Sequence, residues 1–293
     1  MKTLLPIVAG VGPSSRWLPA GRWKTVLEFL SEEYSQIDVE TWTTRMTKGE
    51  VIDENGRRVD PETAYRAGAC IFYYRELDDE PVIPFVEQVL YQDEHILVAD
   101  KPHFLPVIPA GRFLHQTLLV RLRKKYHHEG LVPIHRLDRE TAGVILFSLN
   151  PETRHHYTSL FRNRKVRKVY ETLAPTLDAR FPIIRRSRIV RGEPFFRMQE
   201  VPGDANSETE VIRLRNLGRN SLYQLVPVTG RKHQLRLHLA ALGIPIINDN
   251  LYPEMNRTER SDFSRPLKLL ARSLSFQDPL TGRQLHFESG TKL

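Results

Sequence analysis

The sequence predicts an α+β protein in two parts, a small helical unit followed by a larger strand-rich domain. Three observations lead there. Helix-period apolar residues dominate the stretch from Trp23 to residue 48, short apolar runs recur beyond residue 86, and an acidic, proline-containing segment separates the two. A length of 293 residues accommodates two domains, and 40% hydrophobic residues are enough to bury a core.

Residues 1–20 carry Gly10, Gly12, Pro6, Pro13 and Pro19 and read as an irregular extension. Trp23, Val26, Leu27, Leu30 and Tyr34 then recur at helical spacing, and a second helix is expected over 39–48, ending near Gly49. Val51–Val59 reads as two short strands around an Asn55-Gly56 turn, and 66–74 as a further strand. These elements form one unit over 21–76. Residues 77–87 are the linker, and 88–293 the second domain. There, strands are expected at 86–91, 95–99, 105–108, 144–147, 169–173, 209–214, 221–228 and 272–276. Helices are expected at 116–125, at 151–162 with Asn150 as N-cap, and at 232–242 ending at Gly243.

The formal net charge of +8 favours a polyanionic partner. It is uneven: residues 151–200 hold twelve Arg/Lys against five Asp/Glu, whereas 76–94 hold seven acidic residues and no basic one. That asymmetry suggests one anion-binding face with an acidic stretch kept away from it. Cys70 is the only cysteine, so an internal disulfide and a cysteine-rich zinc site are both excluded. A reducing compartment, the cytoplasm, is expected. The N-terminal apolar run is broken by Gly and Pro, and no segment is long enough to span a bilayer.

Three blocks concentrate reactive side chains. In 134–143 (IHRLDRETAG), Asp138 stands among His135, Arg136 and Arg139 on a loop before the VILF strand. Nearby positive charge favours an ionised carboxylate, which can act as a nucleophile. An ion pair on a loop would explain the tripeptide equally well. The run Arg164-Lys165-Val166-Arg167-Lys168 leads into Tyr170 and suits a phosphate backbone, or merely a solvated face. In 229–239 (TGRKHQLRLHL) a Gly turn opens a helix whose first turn holds Arg231, Lys232, His233 and Gln234. Arg236, two residues on, can pair inward with a carboxylate.

Taken in order, HRLDRETAG, the Lys-x-Tyr of 168–170, and GRKHQLRLHL followed by PIINDNLY resemble the pseudouridine synthases of the RluA type. The stretches 90–107 and 269–287 extend the resemblance to roughly residues 88–288. It implies a mixed, largely antiparallel sheet with flanking helices, and cofactor-free isomerisation of uridine to pseudouridine in ribosomal or transfer RNA. Asp138 corresponds to the family's catalytic aspartate, Tyr170 to its active-site tyrosine, and Arg236 to the basic residue that pairs with the aspartate. Arg136 corresponds to the arginine that enters the RNA as the base flips out. Candidate RNA contacts are His135, Arg136, Arg139, Lys165, Arg167, Lys168, Arg231, Lys232, His233 and Gln234. Asp138 would attack the anomeric carbon or assist glycal formation, and the sequence leaves both open.

The chain departs from the family pattern at several places. His103-Phe104 stands for the usual Ser-Gly, Asn248 and Pro253 replace usual glycines, and Leu270 replaces a usual His. The N-terminal unit is similar to the small S-four-like RNA-binding domain through Arg45, Gly49, the 53–57 hairpin and Ala67-Gly68. Its predicted helices nonetheless carry Glu28, Glu32, Glu33, Asp38 and Glu40 where an RNA-binding face is basic, so scaffold and RNA contact are both open. Two rival readings are a non-catalytic RNA-binding or ribosome-assembly protein, and a metal-dependent hydrolase using His135, His155, His156, His233 and Asp138. The histidines have no ligand spacing, and adjacent His155-His156 point apart on a helix. No metal, membrane or obligate partner is expected, and the chain is read as a monomer.

Overall fold

The computed structural model describes residues 5–77, 79–255 and 262–293; residues 1–4 of the N-terminal extension and Asp78 of the linker lie outside them. The extension is not irregular throughout. Strand β1 (Ser14–Trp17) forms one edge of a three-stranded antiparallel sheet, in the order β1-β3-β2 with β2 (Val51–Asp53) and β3 (Cys70–Tyr73). Two helices cover it, α1 (Val26–Glu33) and α2 (Val39–Thr47). Thr25 caps α1 by accepting from the Glu28 amide at 3.1 Å, and Asp38 caps α2 by accepting from the Thr41 amide at 2.6 Å. Phe29, Leu30, Trp42, Met46, Val51 and Ile71 form their shared core. Only the first arm of the expected 51–59 hairpin is a strand; the second keeps a single bridge, Ile52 to Arg58.

The larger sheet has eleven strands: β4 (Gln88–Gln92), β5 (Ile96–Lys101), β6 (Val132–Pro133), β7 (Ala142–Ser148), β8 (Arg167–Pro175), β9 (Ile183–Arg191), β10 (Met198–Val201), β11 (Ser207–Asn216), β12 (Asn220–Pro227), β13 (Leu269–Gln277) and β14 (Gln284–Glu288). Its main path runs β10-β9-β11-β12-β8-β13-β7-β5-β4, with β6 on β7 and β14 on β13. Every pairing is antiparallel except β7 with β13, where Leu270 faces Ala142 and Ala271 faces Gly143. Three helices flank the sheet: α3 (Leu118–Tyr126), α4 (Arg154–Arg162) and α5 (Gln234–Ala241). The architecture is α+β with a mixed, mostly antiparallel sheet.

Alternation explains why VILF reads as one continuous apolar run. Ile145 and Phe147 of β7 join Leu97, Ala99 and the α3 leucines on one face. Val144 and Leu146 join Ile96, Val98 and Tyr157 on the other, so the strand is covered on both sides. Gly143 is required where β7 meets β13. Its φ is +114°, and a Cβ would lie 2.2 Å from the Ala271 carbonyl oxygen.

Several boundaries differ from the sequence expectations. Residues 105–108 pack as a loop, with Leu105 and Val107 in the core under α3. Helix α4 starts at Arg154, because residues 151–153 form a turn in which Asn150 accepts from the Glu152 amide. Strands β9 and β10 were not expected, since an Arg-rich alternation resembles a solvated run. Residues 75–77 and 79–87 have no regular structure but are held by hydrogen bonds. The Glu80 carboxylate accepts from the amides of Leu114, His115 and Gln116, and Arg121 donates to the carbonyls of Ile83 and Phe85.

Candidate active site

A cleft of about 540 Å³ opens where the two halves of the sheet meet, beside the β7–β13 pair. The loop that enters β7 brings Asp138 to it, with exposed Arg136 on one side and the buried Leu137 anchoring the turn. Beneath this loop lies Lys101, at the end of β5 and 0% exposed. Its ammonium donates to the carbonyls of Pro102, Leu105 and Arg139 at 2.8–3.0 Å. Burial pushes this ammonium down to about 7, against the opposing charges of Glu140 and Asp138. Three carbonyl acceptors match its three donors, so the side chain ties the loop bearing the carboxylate to the core.

Helix α5 supplies the facing wall. Arg236, 2% exposed, forks onto Asp249 through Nε to Oδ2 at 2.8 Å and Nη2 to Oδ1 at 2.6 Å. Asp249 also accepts from the amides of Leu251 and Tyr252. Burial opposes the Arg236 charge, but the hydrogen bonds and charge of Asp249 outweigh it and raise its pKa. Its remaining Nη1 has no hydrogen-bond partner. That nitrogen stands 3.7 Å from Asp138 Oδ2 and 4.0 Å from Glu140 Oε2. The sequence pairing of Arg236 with Asp138 is therefore the looser of two contacts; Asp249 is the bidentate partner.

His233 adopts φ +56° just before the helix, with Nδ1 3.0 Å from the Tyr252 hydroxyl and Nε2 3.9 Å from Asp138 Oδ1. Burial lowers its pKa to about 4, which leaves it neutral at pH 7. Tyr170 of β8 lies across the cleft, paired with Leu225 of β12 and Ala271 of β13. Burial, reinforced by the Asp138 charge, raises the phenol's pKa, so it stays protonated.

The other predicted contacts separate into three groups. Arg136, Lys168, Arg231 and Lys232 line the cleft, Lys168 also donating to the Thr229 carbonyl at 3.1 Å. Arg139, Lys165 and Arg167 do not. Arg139 turns to Glu140 at 3.0 Å and lies over the Phe113 ring, while Arg167 and Lys165 are exposed away from it. His135 and Gln234 line the cleft but are internally committed. His135 Nε2 accepts from the Leu146 amide at 3.0 Å, its ring stacks on Phe161, and burial lowers its pKa to about 3. Gln234, 3% exposed, accepts from Thr229 Oγ1 and the Arg231 amide and donates to the Glu208 carbonyl and Thr209 Oγ1. Its polarity serves the turn that leads into α5, and Arg231, Lys232 and His233 precede that helix instead of forming its first turn.

Sequence reading did not assign Lys101, Glu140 or Asp249 to the site, nor Arg162 and Asn206 to the cleft, and it named Arg164 only within the basic run. Lys101, Glu140 and Asp249 all lay within the quoted stretches 90–107, HRLDRETAG and PIINDNLY. Two departures from the family pattern have a backbone explanation. Phe104 and Asn248, which replace usual glycines, both adopt left-handed φ, +67° and +63°. Phe104 is held there by its ring contacts with Phe85 and Phe263. Asn248 donates to the Pro266 carbonyl at 2.9 Å. Among the described residues, no group of three His, Cys, Asp or Glu is placed to hold a metal ion, and no helix is long and apolar enough to cross a membrane.

Residues 95–241 match the family described as RNA pseudouridylate synthase. The uncharacterized RNA pseudouridine synthase slr1592 of Synechocystis sp. is 32% identical over 232 residues, covering 78% of this chain and 79% of that protein. The dual-specificity RNA pseudouridine synthase RluA of Haemophilus influenzae is 32% identical over 214 residues, covering 71% of this chain and 94% of its own. Among solved structures, human RNA Pseudouridylate Synthase Domain Containing 1 superposes with a TM-score of 0.59 at 25% identity. That match covers 73% of this chain and 86% of the human one.

Proposed function

This chain belongs to the RNA pseudouridylate synthase family, and from that premise we propose how its cleft carries out the reaction, with Asp138 as the reacting carboxylate. The enzyme is an RNA pseudouridine synthase, an isomerase that acts on RNA. The bond between uracil N1 and C1′ breaks, the base turns, and C5 joins C1′. C5 gives up its proton and N1 gains one, so the reaction is redox-neutral and needs no group donor.

The target uridine leaves its stack to enter the cleft, and exposed Arg136 takes the space it vacates. Asp138 then attacks C1′ or removes the proton from C2′; both routes use the same ionised oxygen. Arg236 orients that carboxylate, and Tyr170, protonated at neutral pH, packs against the uracil. Lys168, Arg231 and Lys232 lie along the cleft, where they meet flanking phosphates. Ribosomal or transfer RNA supplies the substrate, and the protein works as a monomer in the cytoplasm.

One observation carries this reading: the unpartnered Nη1 of a buried arginine, fixed by Asp249, is aimed at Asp138 from 3.7 Å. A surface ion pair would have no reason to hold a desolvated donor so. The test is pseudouridine mapping of total RNA from cells lacking the gene, complemented by wild type or by Asp138→Asn. The expected result is a site lost on deletion and restored by wild type alone, while purified Asp138→Asn binds RNA with near wild-type affinity. Wild-type product formation by Asp138→Asn would falsify the assignment.

A further inference from the structure

Strands β9 and β10 form a hairpin whose tip, Arg191–Arg197, is not explained by the cleft chemistry. Phe195 at this tip is 80% exposed, the greatest exposure of any large hydrophobic side chain among the described residues. Its backbone is nevertheless ordered: the Arg197 amide donates to the Pro194 carbonyl at 2.8 Å, and the Gly192 amide to the Arg197 carbonyl at 3.1 Å. The half-buried Phe196 meets Phe195 edge-on, with centroids 5.5 Å apart. A tight turn thus holds an aromatic face out into solvent.

The hairpin is fastened to the catalytic wall. Arg197 donates to the Pro253 carbonyl at 2.9 Å and lies 5.0 Å from the Tyr252 ring centre. The Tyr252 hydroxyl accepts from the Met198 amide at 2.8 Å and meets His233, whose other ring nitrogen faces Asp138. On the opposite strand stands exposed Arg191; the Lys232 ammonium on the cleft rim is lowered first by its own burial, then by Arg136, and least by Arg191. Arg191 at the end of β9 is exposed, and Glu193 is the one exposed acid in the tip, whereas Arg188 lies at the base of the hairpin, opposite Val201.

We propose that Phe195 is a stacking platform for an unpaired nucleobase of the substrate RNA near the target uridine, with exposed Arg191 of the same hairpin meeting an adjoining phosphate. An exposed aromatic on a hydrogen-bonded turn suits the π-face that every unstacked base presents, and needs no base-specific hydrogen bonds. A protein partner would ask for a wider apolar area than this turn exposes. The role rests on the reading of the cleft as a uridine site: once the target base is extruded, its neighbours lose stacking partners, and the hairpin is joined to the cleft wall through Tyr252 and His233.

The test uses transfer-RNA and ribosomal-RNA pools from cells lacking the gene, labelled with tritium at uracil C5, which is released on turnover. Phe195→Ala is expected to weaken binding to the active pool about tenfold, in line with the loss of one base–aromatic stack, with kcat near wild type. Phe195→Tyr and Phe195→Trp should restore affinity, and Phe195→Leu should not. Melting temperatures should be unchanged, because the ring is exposed. Wild-type affinity in Phe195→Ala, or full rescue by Phe195→Leu, overturns the stacking role and points to an apolar protein contact. A wild-type enzyme that neither binds nor isomerises either pool overturns the reading of the cleft itself, and this role with it.

Discussion

The wall that carries Asp138 and the wall that carries Arg236 are held in place by different physics. Behind Asp138 lie β5 and β7, largely apolar on both faces, and the loop is tied to backbone atoms by Lys101, which donates to three carbonyls, and by His135, which accepts from the Leu146 amide. Behind Arg236 the interior is polar. His238 is 0% exposed, with Nδ1 3.0 Å from Thr209 Oγ1 and Nε2 3.0 Å and 3.1 Å from the Ser207 and Ser187 hydroxyls; Gln234 and Asp249 complete the network. A carboxylate that is to react needs an accessible lone pair on a fixed loop, which backbone tethering supplies. A buried cation needs a permanent counter-charge, and each further polar group then needs its own partner.

The sharpest way to break this contrast is Asp249→Asn, which keeps the shape and removes the charge. Leaving Arg236 buried and uncompensated should cost about 3–5 kcal/mol in urea unfolding, and turnover should fall by about a hundredfold or more as Asp138 loses its fixed partner. Near wild-type stability in that variant would show that Asp138 alone holds the guanidinium. Next in size is Lys101→Met, which deprives three carbonyls of their donor. About 2–3 kcal/mol should be lost, with kcat falling and RNA affinity little changed, because the cation wall is intact. If RNA affinity collapsed instead, the two walls would not be independent.

The mildest probe is pH. Burial lowers His238 and His233 to about 4 and His135 to about 3, against an unfolded value of about 6.5. Between pH 6.5 and 4 the unfolded chain binds protons that the folded chain refuses, so stability is complete above about pH 6.5 and is lost as the pH falls. For His238 the loss at pH 4 should reach about 2–3 kcal/mol. A melting temperature flat from pH 7 to 4 would contradict this account.

The same contrast governs what could be read from sequence. VILF, the helical periods and the spacing of Arg236 beyond Gln234 are local patterns that carry to the structure, whereas the Asn150 cap does not. Asp249 is 13 residues from Arg236 across a loop, and no periodicity joins them. Gln234 and His135 were read as RNA contacts because a buried, satisfied polar group and an exposed one look alike in sequence. Strand β9 was hidden for the converse reason: Arg185 and Arg188 hold the register of a sheet while looking like solvated charge. Arg45, a marker of the small unit's likeness to an RNA-binding domain, is itself buried. It pairs with Glu76 at 2.8 Å and lies over Trp42, while Glu28, Glu32, Glu33, Asp38 and Glu40 are exposed.

The parallel register of β7 and β13 also fixes when the enzyme comes into being. Asp138 and Arg236 belong to halves of the sheet that meet only when the strand at 269–277 slides between β7 and β8. Asp100 is then latched to Ser289, 189 positions away. Contacts of such separation close late, after local elements have formed. A nascent chain leaving the ribosome therefore displays the arginines of 154–197 long before it has a working centre, which must await the strand at 269–277 and the latch at Ser289.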